Sequence, residues 1–393
     1  MRKNVLYILL AGMAMAGIVA CENDDTDFSN YTIGTGENEI EEELSDTLWM
    51  NIVYSGATVT VDGDVSDSVT IVASGADVTV TSTLNRYLEV TLSGTTTDGS
   101  LLVNSQKRYG LVLNGVNITN GDGPAINNQC SKALYLTLAD GTTNMLTDGT
   151  AYADAPTTAE GIAIDQKGTL FSEGQIYFRG TGTLTVNGNA RNGIASDDYI
   201  VVEDGNITIN VAATGTNGLK VNDGLEIQGG TLVIGVAADG ARGIKNDART
   251  TISGGTTTIA TSGDCLIETL SDGTRDTTSC AGIRCDSLFT MTAGTLNITS
   301  SGDGGKGINC NEDVVFSGGT LTVVTTGNNS VGKPKGVKSD TGITVSGGSF
   351  SVTVRKSWAC DNGSDSDDPA DMLTVVGTPT RKSIAKRQVT IVY

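Results

Sequence analysis

The sequence contains no histidine. That absence removes the Ser-His-Asp and Cys-His nucleophile systems and argues against ordinary zinc catalysis, which leans on imidazole ligands. Proline is scarce, at 5 residues in 393, and aromatics make up only 5%. So few rings leave little for a flat aromatic stacking surface. Basic charge is also thin, with 25 Lys and Arg against 45 Asp and Glu, a net charge of −20. Such a surface repels nucleic acid, and no basic patch in the sequence reverses it. It would repel an acidic sugar polymer as well, unless a cation intervenes. What remains is glycine, 51 residues, together with abundant Thr and Val, a β-rich and turn-rich profile rather than a disordered one.

The N-terminus reads as an export signal. Arg2 and Lys3 precede an apolar stretch from Val5 to Val19, too short to span a bilayer and shaped like a secretory h-region. It ends Ile18-Val19-Ala20-Cys21, which resembles the bacterial lipoprotein cleavage box and implies acylation of Cys21. The acidic run Glu22-Asn23-Asp24-Asp25 resembles the sorting signal that sends lipoproteins of Bacteroides-type bacteria to the outer face of the outer membrane. Residues 1–20 are therefore expected to be a signal peptide. Residues 21–46, polar and acidic around Glu41-Glu42-Glu43, are expected to be a flexible tether. Residues 47–393 exceed the usual size of a single core yet contain no linker. A repeat protein escapes that limit because each unit packs only on its neighbours.

A repeat is present. The motif Gly-[Ile/Leu/Val]-x-x-[Asp/Asn] recurs at Gly193, Gly218, Gly243, Gly282, Gly307 and Gly336, at spacings of 25, 25, 39, 25 and 29 residues. The 39 is one repeat with a 14-residue insertion around Glu268–Thr277, and the 29 is one repeat with four residues added. Seven and nine residues after each glycine stand apolar pairs such as Ile200/Val202 and Phe289/Met291. Twelve after it stands another glycine, as at Gly205 and Gly255, and fourteen and sixteen after it stand pairs such as Ile207/Ile209 and Leu296/Ile298. Alternation on both sides of a glycine means two short strands and a turn, and a third strand fits the Gly-Ile motif itself. This pattern predicts an all-β fold, a single-stranded right-handed parallel β-helix of about 25 residues per coil over residues 47–393. Thr47–Tyr54 is a candidate N-terminal cap, and Gly161-Ile162-Ala163-Ile164-Asp165 a degenerate copy of the motif.

An ordered series in the first half carries a resemblance. Gly115-Val116-Asn117-Ile118-Thr119 is followed by Gly123-Pro124-Ala125-Ile126-Asn127, then Leu138-Ala139-Asp140-Gly141-Thr142-Thr143-Asn144 and Leu146-Thr147-Asp148-Gly149, then Gly182-Thr183-Leu184-Thr185-Val186-Asn187-Gly188-Asn189 and the Gly-Gly-Thr repeats. Over roughly residues 52–352 the chain resembles a family of bacterial extracellular carbohydrate-binding proteins of the clostridial cellulose- and pectin-binding type. The resemblance implies a pectate-lyase-like β-helix that carries calcium and binds plant cell-wall polysaccharide without lytic activity. The insertion around Glu268–Thr277 departs from that family's repeat.

Stacking coils turns repeat positions into columns about 4.8 Å apart. Four residues after each motif glycine lie Asp165, Asp197, Asn222, Asp247, Asp286, Asn311 and Asp340. Asp and Asn suit tight turns, so this column has a purely structural reading. Its other reading is metal binding. Asp247 and Asp286 are the immediate charged neighbours, and the insertion between them brings Asp264, Glu268, Asp272 and Asp276. Hard oxygen donors crowded on one edge are what Ca²⁺ requires, so a calcium site is expected near Asp247, Asp286 and that loop. Asp197, Asp198, Asp223, Asp239, Asp303 and Asp340 are further candidate ligands. A second column, two after each glycine, reads Ala195, Lys220, Lys245, Arg284, Asn309 and Lys338. It is either a salt-bridge ladder beside the acids or a cationic strip in which Lys220, Lys245, Arg284 and Lys338 meet sugar carboxylates.

Of the cysteines beyond Cys21, Cys285 and Cys310 share a repeat position and should stack. Cys265 and Cys280 bracket the insertion and could staple it, while Cys130 and Cys360 stand apart. Export permits disulfides, but pairing does not follow from sequence, and buried free thiols are the alternative. Trp358 lies near Asp361, Asp365, Asp367 and Asp368 and reads as a cover for the last coil. The expected function is non-catalytic, calcium-assisted polysaccharide binding by a monomeric, lipid-anchored protein of the cell surface. A polysaccharide lyase and a structural adhesin are the alternatives.

Overall fold

A computed structural model of the chain describes residues 47–63, 67–158, 161–278 and 280–393. The signal peptide, Cys21 and the tether expected for residues 1–46 lie outside the described residues.

The chain winds into a parallel β-solenoid of about 11 turns of about 25 residues each. One coil shows the plan: Asn192–Ser196 lies in a first row, Tyr199–Val202 in a second and Asn206–Val211 in a third, after which Leu219–Val221 returns to the first row above. First-row strands make one 12-stranded sheet. The second and third rows merge into a 23-stranded sheet, because Leu88–Thr96 and Tyr109–Thr119 run through both and bend near Gly94.

The predicted inward positions are the core. Ile200, Val202, Ile207 and Ile209, with their equivalents in later coils, are almost wholly buried. Each coil covers the apolar face of the next, so the core is continuous and the size limit on single cores does not apply. The glycine twelve after the motif glycine has a left-handed φ in every regular coil, from 66° at Gly255 to 113° at Gly205. A Cβ on Gly255 would also lie 2.8 Å from the Gly230 carbonyl oxygen of the coil below. The corner therefore excludes side chains twice, by conformation and by contact.

The first row also turns polar groups inward. Asn128, Ser172, Ser196 and Asn246 are buried, and their bonds reach the following turn. Asn246 Nδ2 donates to Arg249 O (2.7 Å), while Ala248 N donates to Asn246 Oδ1 (3.0 Å). Buried amides are tolerated there because the turn supplies partners.

Two sequence expectations are corrected. Leu48–Ser55 is not a cap but a full strand in parallel register with Leu88–Thr95. The N-terminal edge is closed instead by Thr58–Gly63 and Val69–Ser74, each running antiparallel to its neighbour. Gln388–Val392 does the same at the other end. A reversed strand denies a further coil its register, which protects an open edge. Secondly, the Gly161–Asp165 copy is not a coil strand. It lies in a loop held by a Thr157–Ala163 bridge, and Ile162 is exposed. The strand of that coil is Gly168–Ser172, in register with Asn192–Ser196.

Candidate functional site

The outer face of the first row carries the charged columns. Strand register aligns Ala195, Lys220, Lys245, Arg284, Asn309, Lys338 and Asp361 on successive coils. The acid column follows two residues on. Ser196 is the partner of Val221, Asn246 of Cys285, and Cys285 of Cys310, so Asp247 and Asp286 are adjacent, as the repeat predicts. The two asparagines relieve repulsion along the column. Asn222 Nδ2 donates to Asp197 Oδ1 (3.3 Å), and Asn311 Nδ2 to Asp286 Oδ1 (3.2 Å).

The cations pair with these acids. Lys220 and Lys245 both reach Asp247, at 2.6 and 3.3 Å, Arg284 holds Asp286 at 2.7 Å, and Lys338 pairs with Asp340. Burial alone would raise the Asp247 pKa, but the two ammonium groups hold it below the usual carboxylate value. The charges of Asp247 and Asp286 are thus already balanced by ion pairs within the protein.

Among the described residues, the acids expected to join them do not converge there; the Asp276 side chain lies outside the described residues. Asp264 belongs to a separate ladder at another corner, in which carboxylates accept from backbone N–H groups one coil on. Asp264 N donates to Asp239, Asp303 N to Asp264, and Asn328 N to Asp303, at 2.7–2.9 Å. Glu268 is exposed on the inserted hairpin, and Asp272 accepts from Thr274 N (2.9 Å) within its turn. Asp198 takes the Tyr199 N–H (2.8 Å) and pairs with Gln175; burial and Asp223 push its pKa up to about 6. The Asp223 pKa is raised by burial and by Asp197.

Among the described residues, Asp165, Glu173 and Asp197 do converge, with carboxylate oxygens within 4.8 Å of one another. Glu173, not Asp165, is the column member beneath Asp197, since Ser172 is the register partner of Ser196. Asp165 arrives from the preceding loop. The Lys167 ammonium lies between, 2.6 Å from Asp165 and paired with Asp197. Burial and the neighbouring Asp197 push the Glu173 carboxyl up to about 7. Sequence reasoning missed Glu173 because Thr169 replaces the motif glycine. Counting back seven residues from Ile176 reaches Thr169, and four on from there is Glu173. Three carboxylates around one point form a hard oxygen donor set that fits Ca²⁺ in chemical type, with Lys167 as the cation now in place.

Beside this cluster, a groove of about 300 Å³ lies between the early coils and the loop before Gly168. Asp77, Asp122 and Asp154 line it with Leu102, Asn127, Ile164 and Gln166. Asn127 Nδ2 donates to the Asp165 carbonyl oxygen (3.0 Å), tying groove to cluster. Tyr87, Tyr135, Tyr177 and Tyr199 form a separate cluster, each under 10% exposed. Arg179 covers the Tyr135 ring at 4.4 Å, so these rings pack on one another instead of offering a platform. Trp358 ends the first row with Lys386 4.2 Å over its ring.

Comparison with known proteins gives three results. A model of the family described as carbohydrate-binding domain-containing protein matches residues 74–271 and 242–372. A carbohydrate-binding domain-containing protein of Acetivibrio thermocellus is 38% identical over 121 residues, 30% of this chain and 41% of that relative, so the match spans less than half of the relative's length. A solved structure described as a polysaccharide lyase-like protein from C. thermocellum, in a gadolinium derivative, superposes with a TM-score of 0.53 at 28% identity. It covers 68% of this chain and 96% of its own.

Proposed function

The chain belongs to the carbohydrate-binding domain-containing proteins, and from that premise we propose that it is a non-catalytic receptor for an acidic, plant-type polysaccharide laid along the outer face of the first row. The observation that carries this reading is the charge of that face. On a chain of net charge −20, it gathers Arg242, Lys245, Arg284, Lys306, Lys335 and Lys338 in adjoining columns. Four of these cations are balanced by Asp247, Asp286, Asp361 and Asp340. Arg242 and Lys306 have no carboxylate partner among the described residues, and Arg242 Nε is buried without a hydrogen-bond acceptor. Burial lowers the pKa of both, with like-charged Arg284 adding to the effect at Arg242, and Lys338 and Lys335 at Lys306. A sugar carboxylate is the natural complement to such a pair.

Calcium would be held by Asp165, Glu173 and Asp197 at the groove edge. It would supply positive charge where the groove is acidic, which lets an anionic sugar approach. The similar solved structure is described as a gadolinium derivative, and lanthanide and calcium ions favour the same hard oxygen donors. Cys21 would carry the lipid, with residues 21–46 as tether, placing the solenoid on the outer face of the outer membrane. Replacing Cys21 by Ala should release the protein from the membrane fraction.

The test is a glycan array and a pull-down on polygalacturonate and cellulose, with calcium and with chelator. Retention on the acidic polymer that falls on chelation supports the proposal; retention on neither polymer removes it in favour of a spacer or adhesin. The lyase-like description of the solved structure favours a second reading, in which a base takes the C5 proton of a uronate. Arg284 is held by Asp286 and Lys167 by two carboxylates, so neither is a free base in this arrangement. Ultraviolet-absorbing unsaturated product from polygalacturonate would establish that reading.

A further inference from the structure

The inserted hairpin, Leu266–Thr269 paired with Arg275–Thr278, leaves the coil at one defined point, and backbone bonds to the flanking coils locate it. Gly240 N donates to Asp264 O, Cys265 N to Asp303 O and Gly304 N to Asn328 O, each at 2.8–2.9 Å. Gly240, Cys265 and Gly304 are thus equivalent positions. Likewise Ala281 N donates to Ala241 O (3.3 Å) and Lys306 N to Cys280 O (3.0 Å), which makes Ala241, Cys280 and Gly305 equivalent. In the coils on either side the two positions are consecutive residues, Gly240-Ala241 and Gly304-Gly305. In the coil between, the same two positions are Cys265 and Cys280, with the whole hairpin inserted between them.

Stacking on neighbours one peptide apart draws the two cysteine backbones together, toward the short Cα separations of roughly 4.4–6.8 Å that a disulfide bridges. The thiols point the same way. Cys265 Sγ lies against the site where Gly304 would carry a Cβ, and Cys280 Sγ lies 3.0 Å from the corresponding site on Gly305. The Cys280 backbone amide lies near enough to Cys265 Sγ to oppose the rise in its pKa. The glycine pair above therefore leaves room for both sulfurs, and the two thiols are at the neck of one hairpin.

We propose that Cys265 and Cys280 are a disulfide-forming site that locks the neck of the hairpin, oxidised by a disulfide-class oxidant through thiol–disulfide exchange. Cys265, slightly exposed at 6% while Cys280 is fully buried, loses its proton and attacks one sulfur of the oxidant. The oxidant's S–S bond breaks and one thiolate leaves. Cys280, deprotonated in turn, attacks Cys265 Sγ of the mixed disulfide and expels the second thiolate. The new S–S bond costs the protein two protons and two electrons, and the oxidant is reduced to two thiols. Burial raises the pKa of both thiols, Cys280 to about 11, and the nearby Lys306 offsets this only in part, with Arg242 also opposing it at Cys265, so the exchange calls for mildly alkaline pH. Cys285 and Cys310 are the rival pair, with sulfurs 3.1 Å apart. They are sealed in the core on successive coils, where no oxidant reaches them in the folded chain.

The test uses the full chain, reduced, desalted and exposed while folded to oxidised glutathione at mildly alkaline pH. Remaining thiols are then blocked, and the chain is digested and mapped without reductant. A linked Cys265–Cys280 peptide, with Cys285 and Cys310 recovered as blocked thiols, is the expected result. In the Cys285→Ser/Cys310→Ser variant the same link should form. Recovery of Cys265 and Cys280 as unlinked thiols, or a map dominated by Cys285–Cys310, overturns the proposal. Because the first measurement is made on the unsubstituted protein, a variant that fails to fold does not obscure it.

Discussion

Replacing Glu173 by Gln tests the acidic cluster most directly. In the folded chain the Glu173 carboxyl titrates at about 7 against an ordinary value of 4.5, because burial and Asp197 disfavour its charge. The folded state therefore retains a proton that the unfolded chain has already lost, and stability falls as pH rises from about 4.5 to about 7. A shift of that size corresponds at most to about 3 kcal/mol at 1.36 kcal/mol per unit. Glu173 is only half-buried, and solvent screening reduces this to about 1–2 kcal/mol. In chelator, Glu173→Gln should be more stable than the parent by that amount at pH 8 and equal to it near pH 4, read from urea unfolding followed by circular dichroism. Millimolar calcium should then stabilise the parent at pH 8 and leave the variant unchanged. An equal offset at both pH values, or a variant less stable than the parent at pH 8, would refute the electrostatic account. Equal calcium stabilisation of both chains would refute the assignment of the cation to this cluster.

Asn222→Asp should place a third carboxylate between Asp197 and Asp247. At a column spacing of ~4.8 Å the repulsion is at most about 3.5 kcal/mol per neighbour at an effective dielectric of 20. With Lys220 in contact and solvent nearby, about 1 kcal/mol of destabilisation is expected, disappearing in molar salt; a salt-independent loss would point to packing instead. Gly255→Ala should cost more than about 2 kcal/mol, because strained φ and a rigid carbonyl act together, whereas Gly273→Ala, with φ of 82° but nothing within 4 Å, should cost about 1 kcal/mol. Thermal unfolding ranks the two, and equal losses would deny the contact. Arg242→Ala/Lys306→Ala should weaken retention on polygalacturonate by tenfold or more, about 1.4 kcal/mol, without changing retention on a neutral glucan; isothermal titration that finds no difference would remove these cations from the binding face.

How much of this was legible in advance differs between scaffold and site. The inward pairs and the glycine corners were readable because a strand alternates with period two and a left-handed corner tolerates little else. Asp247 beside Asp286 followed from coil length alone. The Gly161–Asp165 segment misled because it matches the motif locally yet lacks the apolar pairs seven and nine residues on. Glu173 was hidden for the converse reason, since its coil keeps those pairs and has lost the glycine.

By itself the amino-acid order determined the solenoid, its coil length and the columns of the coils from Gly193 onward, because these depend on short-range periodicity that each of those repeats restates. Only the tertiary structure decided which charges were already balanced by ion pairs. Lys220 reaches the Asp of the next coil as well as the Asn of its own, and Asp165 meets Glu173 and Asp197 only after a loop folds back over the first row. Side-chain reach across coils and the path of an irregular loop carry no period, so packing alone settles them.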